Sequence, residues 1–201
     1  SADLLYRALI SGEQVDAVYV SFDDGYHRVV TRMDEDRRRS DPKIPSNANW
    51  HSSYIDDFSV GKDRARHRLF FDSWGHSVGG YSVPSNLDIR TLDGYAQARS
   101  TRGLVITEPT MNPDTGSPIL SVRYPIIRNG EFIGAASTNI TMDVLSRYLA
   151  SHRASPNSKS IIADMNSGKI IAAADRDHGV QMVNGKLTVA TIEGIRDPNV
   201  K

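Results

Sequence analysis

Two β-rich runs, Ile119–Ile127 and Glu131–Ile140, are joined by Arg128-Asn129-Gly130. An Asn-Gly pair between strands specifies a tight hairpin turn, because both residues accept positive φ. The turn forces antiparallel pairing and sets the register, so every side chain along both strands is assigned a face. Ala135, Ser137 and Asn139 share one face, and Ala136, Thr138 and Ile140 the other. Leu104–Glu108 reads as a third strand before this pair. Thr141 stands where an N-cap is expected for a helix over Met142–Ser151, with Asp143 in its first turn.

The same signals recur upstream. Leu4, Leu5, Ala8 and Leu9 have helical spacing and are followed by Ser11-Gly12. Val15–Phe22 and Tyr26–Arg32 flank Asp23-Asp24-Gly25, a second hairpin signal. Residues 33–63 read as polar and irregular. Arg37-Arg38-Arg39 suggests a phosphate site, but Asp34, Glu35, Asp36 and Asp41 cancel its charge, so a solvated loop is expected. Arg68–Trp74 reads as a strand, Gly75–Asn86 as loop, and Gly94–Arg102 as a short helix. Ser155-Pro156-Asn157-Ser158 reads as a linker. Beyond it, Ile161–Ala163 and Ile170–Ala174 flank Asn166-Ser167-Gly168, and Val180–Val183 and Leu187–Ala190 flank Asn184-Gly185. Four such short runs over about 45 residues are too few to bury a core alone. They are expected to begin a second lobe that is cut off at Lys201.

The chemistry the chain can support is narrow. Lys plus Arg and Asp plus Glu both number 24 among 201 residues, so the net charge is zero. No one-sign stripe recommends nucleic acid or an anionic membrane as partner. Cysteine is absent, which excludes disulfides and thiolate chemistry and suits a periplasmic protein. His27, His51, His67, His76, His152 and His178 show no ligand spacing, so no metal or other cofactor is expected. Asp175-Arg176-Asp177-His178-Gly179 lacks the remaining ligands of a calcium loop and reads as a turn. Gly75-His76-Ser77-Val78-Gly79 fits the nucleophile elbow of serine hydrolases, which needs a strand before Ser77 and a helix after it. Gly80, Pro84, Ser85 and Asn86 break such a helix, so an esterase using Ser77 is the lesser reading. No apolar run reaches the roughly 18 residues of a membrane helix. The chain opens on Ala2–Ile10 without Met, as expected of a piece of a longer protein.

Pro113-Asp114-Thr115-Gly116, then Tyr124-Pro125-Ile126-Ile127-Arg128-Asn129-Gly130-Glu131-Phe132-Ile133-Gly134-Ala135, then Asn139-Ile140-Thr141-Met142-Asp143-Val144-Leu145-Ser146 follow in an order that resembles the double Cache family. These are PAS-like extracytoplasmic sensor domains of bacterial membrane receptors. The resemblance implies an α+β fold: a five-stranded antiparallel sheet with flanking helices in a membrane-distal lobe over 1–151, and the start of a membrane-proximal lobe over 158–201. It implies a small-molecule sensor that is not itself an enzyme. It also implies a homodimer in the full-length receptor, with membrane contact only through flanking helices outside this chain. The Gly134–Thr141 wording and Gly94–Arg99 look more like sensors fused to adenylate or guanylate cyclases than like chemoreceptors or histidine kinases. A ligand-free dimerisation module is the other alternative.

Many members of that family bind α-amino acids with a Tyr, a following Arg and Trp, a Tyr-x-Asp, and an Asp ending the last strand. The corresponding places here carry Leu87, Leu92, Gly94, Thr110, Asn112 and Asn139, and all six depart. An amino-acid zwitterion is therefore not the expected ligand. The resemblance leaves Tyr81, Tyr95, Arg99, Thr107, Thr110, Asn112, Arg123 and Asn139 as candidate ligand-binding residues. A small polar molecule held mainly by neutral donors and acceptors is expected, with Arg99 or Arg123 able to receive an anionic group. Gly94, in place of an aromatic, is expected to open volume for a larger ligand.

Overall fold

Two-residue periodicity dominates the chain, and the structure realises it as an α+β fold built on one large antiparallel sheet. The computed structural model describes residues 1–55, 64–112, 117–155, 157–165, 167–174, 180–183 and 186–194. The chain divides into one unit of Ser1–Thr107 and Ser121–Asn139 and another of Glu108–Leu120 and Ile140–Lys201.

The elements in order are α1 (Ala2–Ile10), β1 (Val15–Phe22), β2 (His27–Arg32), α2 (Glu35–Ser40), β3 (Trp50–Ile55), β4 (Ala65–Phe71), β5 (Ser77–Pro84) and α3 (Asp93–Thr101). Then follow β6 (Val105–Ile106), β7 (Thr110–Met111), β8 (Pro118–Arg128), β9 (Glu131–Thr141) and α4 (Met142–Ser151). The chain ends with β10 (Ile161–Ala163), β11 (Ile170–Ala173), β12 (Val180–Val183) and β13 (Lys186–Val189).

In the first unit the strand order is β5-β4-β3-β2-β1-β9-β8-β6. A five-stranded sheet is expected from the sequence; the observed one is wider, with β4 (Ala65–Phe71) close to the strand read over Arg68–Trp74 and with β3 and β5 added to those read from the sequence. Asn129 and Gly130 adopt φ of 52° and 80°, the positive values that the β8–β9 turn requires.

Alternation gives this sheet two different faces. Val18 and Val20 of β1 pack with Val30 and Trp50 against Leu5 and Leu9 of α1. Trp50 is sandwiched between Tyr6 and Phe71, at ring separations of 4.4 and 4.1 Å. A nine-residue helix is marginal by itself, so α1 owes its order to this apolar contact. The next residues along β1 and β2, Ala17, Tyr19 and Val29, form a separate buried cluster. Near the β8–β9 turn, Tyr95 and Ala98 of α3 cover Val105 and Ala135.

Close backbone approach holds β9 to β1. A Cβ on Gly134 would lie 2.3 Å from the Ser21 carbonyl oxygen and 3.0 Å from Phe22 Cα. Gly134→Ala is therefore expected to cost about 1–3 kcal/mol. A urea melt checks this, and an unchanged midpoint would contradict the tight β1–β9 approach.

Several expectations are corrected. Residues 33–63 are not wholly irregular, since α2 and β3 lie within them. Gly75–Asn86 is not loop: β5 pairs with β4 from Ala65–Pro84 to Phe71–Ser77. Arg37 is not solvated; it is 3% exposed and ion-paired to Asp16. Thr141 precedes α4 but makes no side-chain cap bond.

In the second unit, β7 pairs with the start of β8 through Thr110–Ile119 and Met111–Pro118. Leu120, Met142 and Ala172 form its main cluster, joined by Leu145, Leu149 and Ile171. β10 pairs with β11, and β12 with β13, as the hairpin signals implied. Ile170 and Ala173 pack with Ile161, Ala190 and Ile192. The 113–116 motif, the 175–179 turn and Asn184-Gly185 lie outside the described residues.

Candidate ligand-binding face

Asn139 organises the polar face of the first unit. Its Oδ1 accepts from the Tyr19 hydroxyl at 3.2 Å and from Ser121 Oγ at 2.7 Å. Three neighbouring strands, β1, β9 and β8, are thereby tied through one amide oxygen. With Oδ1 engaged twice, the Asn139 amide group retains its N–H donors. Thr107 continues the chain of contacts: its N–H donates to the Ser121 carbonyl at 2.9 Å, and its Oγ1 accepts from Ser121 N at 3.3 Å.

Two residues along from Ser121 on the same face stands Arg123, 9% exposed. Its guanidinium lies 5.4 Å from the Tyr19 ring centroid, a cation–π distance. Its Nε and Nη1 are buried without hydrogen-bond partners. On β9, two residues before Asn139, Ser137 is 5% exposed and its Oγ is also without a partner. Arg123 passes directly beneath α3: a Cβ on Gly94 would stand 2.6 Å from Nε and 3.1 Å from Cζ. The absent side chain at 94 does not leave room for a larger ligand, as expected from sequence, because Arg123 occupies that space.

Positive charge pervades this face. His27 Nδ1 lies 3.0 Å from Ser21 Oγ, and its ring meets Tyr19 edge-on at 5.8 Å. Burial, then Arg66 and Arg123, lower its pKa to about 3. His51 on β3 behaves alike: burial, then Arg68, Arg66 and Arg37, lower its pKa to about 3. Both imidazoles are neutral at ordinary pH.

The eight candidate residues are only partly brought together. Arg123, Asn139 and Thr107 meet as described. Tyr95 and Arg99 of α3 instead converge on Asp23: the Tyr95 hydroxyl donates to its carboxylate at 2.9 Å, and Arg99 pairs with the same oxygen. Burial and then the Asp23 hydrogen bond push the Tyr95 pKa up. Arg99 therefore already has its anion. Tyr81 lies on β5, five strand spacings from β9, which is about 24 Å along the sheet. It donates to Asp41 and accepts from Arg68 at 3.0 Å. Thr110 and Asn112 belong to the second unit, where Thr110 is exposed and Asn112 is buried with its N–H bonded to the Ser117 carbonyl. Sequence reasoning missed Tyr19, His27, Ser121 and Ser137. Buried polar residues recurring at alternate positions of β1, β8 and β9 were the signal available.

Ser77 does not sit on an elbow. It opens β5 and is followed by strand, with no helix to orient it. Among the described residues, no group of three or more His, Asp or Glu could hold a metal ion, and no helix is long and apolar enough to cross a membrane.

No protein-family model matches the chain. The methyl-accepting chemotaxis protein PscA of Pseudomonas syringae pv. tomato is 22% identical over 139 residues, which are 69% of this chain and 21% of that protein. The ligand-binding domain of the Pseudomonas aeruginosa PAO1 amino-acid chemoreceptor PctB, solved with L-Arg, has a TM-score of 0.50 and 14% identity; 88% of this chain covers 56% of that one. The extracellular domain of a protein described as a histidine kinase, mmHK1S-Z2, has a TM-score of 0.49 and 16% identity, with 98% of this chain covering 62% of that one. The chain thus spans a fifth of the curated relative and little more than half of these solved domains. The likeness to PctB is one of fold, that of a ligand-binding sensor domain. None of these three proteins is a nucleotide cyclase.

Proposed function

We propose that this chain is the extracytoplasmic sensor portion of a bacterial membrane receptor, binding a small polar molecule on the face beneath α3. The observation that carries the reading is the partly buried Tyr19–Asn139–Ser121 network beside the buried Arg123, a polar constellation that the apolar core does not need. Buried polar groups without partners have a cost that a structural role does not repay, and a ligand can remove it. Thr107, Arg123 and Asn139 are the residues we retain for that role; Tyr95, Arg99 and Tyr81 support the lobe around it. The fold likeness to a chemoreceptor ligand-binding domain supports the same reading.

We assign the output to a chemotaxis-type or kinase-type receptor, in place of the cyclase suggested by the sequence wording. We also retain the two-lobe division, a distal lobe over 1–151 and the start of a second from 158, and dimerisation in the intact receptor. A thermal-shift screen over amino acids, organic acids, polyamines, nucleosides and sugars tests the reading. A ligand at a hundredfold excess over its Kd adds about 2.7 kcal/mol of stability. The expected result is a hit that Asn139→Ala weakens. Failure of every class, or hits indifferent to Asn139, would count against it.

A further inference from the structure

Resting on the sensor reading, we infer that the ligand is a small carboxylate without an ammonium group, received by Arg123 and Ser137. The argument is one of donors and acceptors. Arg123 Nε and Nη1 and Ser137 Oγ are buried and have no partner. Arg123 and Ser137 each lie two residues from the Ser121–Asn139 bond, on the face that bond defines. Asn139 faces the same region with its acceptor oxygen consumed by two hydroxyls. The groups left over are therefore mainly donors: the three N–H bonds of Arg123 Nε and Nη1, the Ser137 hydroxyl and the Asn139 amide N–H groups. Donors of this kind call for an acceptor, and a carboxylate supplies two acceptor oxygens and the opposite charge to a guanidinium.

The complementary half of an amino-acid site is missing. An ammonium needs carboxylates, and four acids of this unit already hold arginines: Asp16 pairs with Arg37, Asp23 with Arg99, Asp41 with Arg68 and Asp88 with Arg90. Neutral His27 offers no negative charge, and its pKa is lowered partly by Arg123 itself. A cation entering this face would meet Arg123 without compensation.

Matched acids test this on the intact chain by calorimetry: acetate against glycine, succinate against aspartate, and glutarate against glutamate, with inorganic phosphate as a separate arm. Each pair differs by one ammonium. In the pairs that bind, the acid without it is expected to be tighter by about tenfold or more. Arg123→Gln should weaken that acid by about a hundredfold, and Ser137→Ala should weaken it less. Arg123→Met should lose the response while its unliganded melting temperature stays level or rises, because a buried unpaired charge is gone. A merely structural arginine would instead lower it. Tighter binding of the amino acid, acid binding retained in Arg123→Gln, or response to phosphate alone would overturn the inference. Absence of binding by every acid would overturn it too, and the broad screen would then judge the sensor reading separately.

Discussion

Asp16→Ala is expected to lower the unfolding free energy by about 3–5 kcal/mol. Arg37 is 3% exposed and Asp16 8%, and two N–H···O bonds of 2.8 Å join them. Arg37 also donates to the Arg32 carbonyl at 3.1 Å, so the pair staples α2 to the ends of β1 and β2. Removing the carboxylate leaves the buried guanidinium with only the half-exposed Asp34, 3.2 Å away, as counter-ion. The cost lies in the abandoned charge more than in the lost attraction. The double variant Asp16→Leu, Arg37→Met should for that reason recover most of the loss, since a well-packed apolar pair is often neutral or stabilising against a buried ion pair. Urea melts of the wild type, single and double variants give the answer. A single-variant loss below about 1 kcal/mol, the range of an exposed pair, would show that Arg37 reaches solvent or another anion.

Stability should also fall by about 3 kcal/mol between pH 6.5 and pH 5. His27 and His51 are neutral in the folded protein, with pKa values lowered from 6.5 to about 3. In the unfolded chain both titrate at the ordinary value. Between pH 6.5 and 3 the unfolded chain therefore holds two protons that the folded one refuses, and acid favours unfolding. The contribution is complete only well above pH 6.5, declines through that window, and levels only near pH 3, where the folded imidazoles protonate. Asp41, Asp72 and Asp88, whose pKa values are lowered, act at lower pH, below the ordinary carboxylate value of 3.8. Denaturant melts from pH 7 to 4.5 should show the slope, and His27→Asn or His51→Asn should each remove about half of it. A flat profile would mean that the imidazoles are accessible or charged when folded.

The sequence made the antiparallel framework readable because its cues are local. Asp24-Gly25 and Asn129-Gly130 each fix a turn, and alternation then placed Asn139 on a polar face without any knowledge of its partners. What escaped detection depends on contacts far along the chain. Arg37 sits among acids that cancel its charge on paper, yet its buried partner is Asp16, near the start of β1 and two strands earlier in the chain. β5 was lost because Gly79, Gly80 and Pro84 lower strand propensity, while its pairing with β4 overrides that preference. Arg99 and Arg123 were equivalent as letters. Only the fold gives Arg99 an aspartate and leaves Arg123 without one.

The 2.6 Å between a Cβ at position 94 and Arg123 Nε couples two positions far apart in the sequence. A side chain at 94 and an arginine at 123 exclude each other by volume. A larger residue at 94 calls for a shorter residue at 123 or a displaced Arg123, so the two positions are best exchanged together. The two positions should therefore change as a linked pair among homologues.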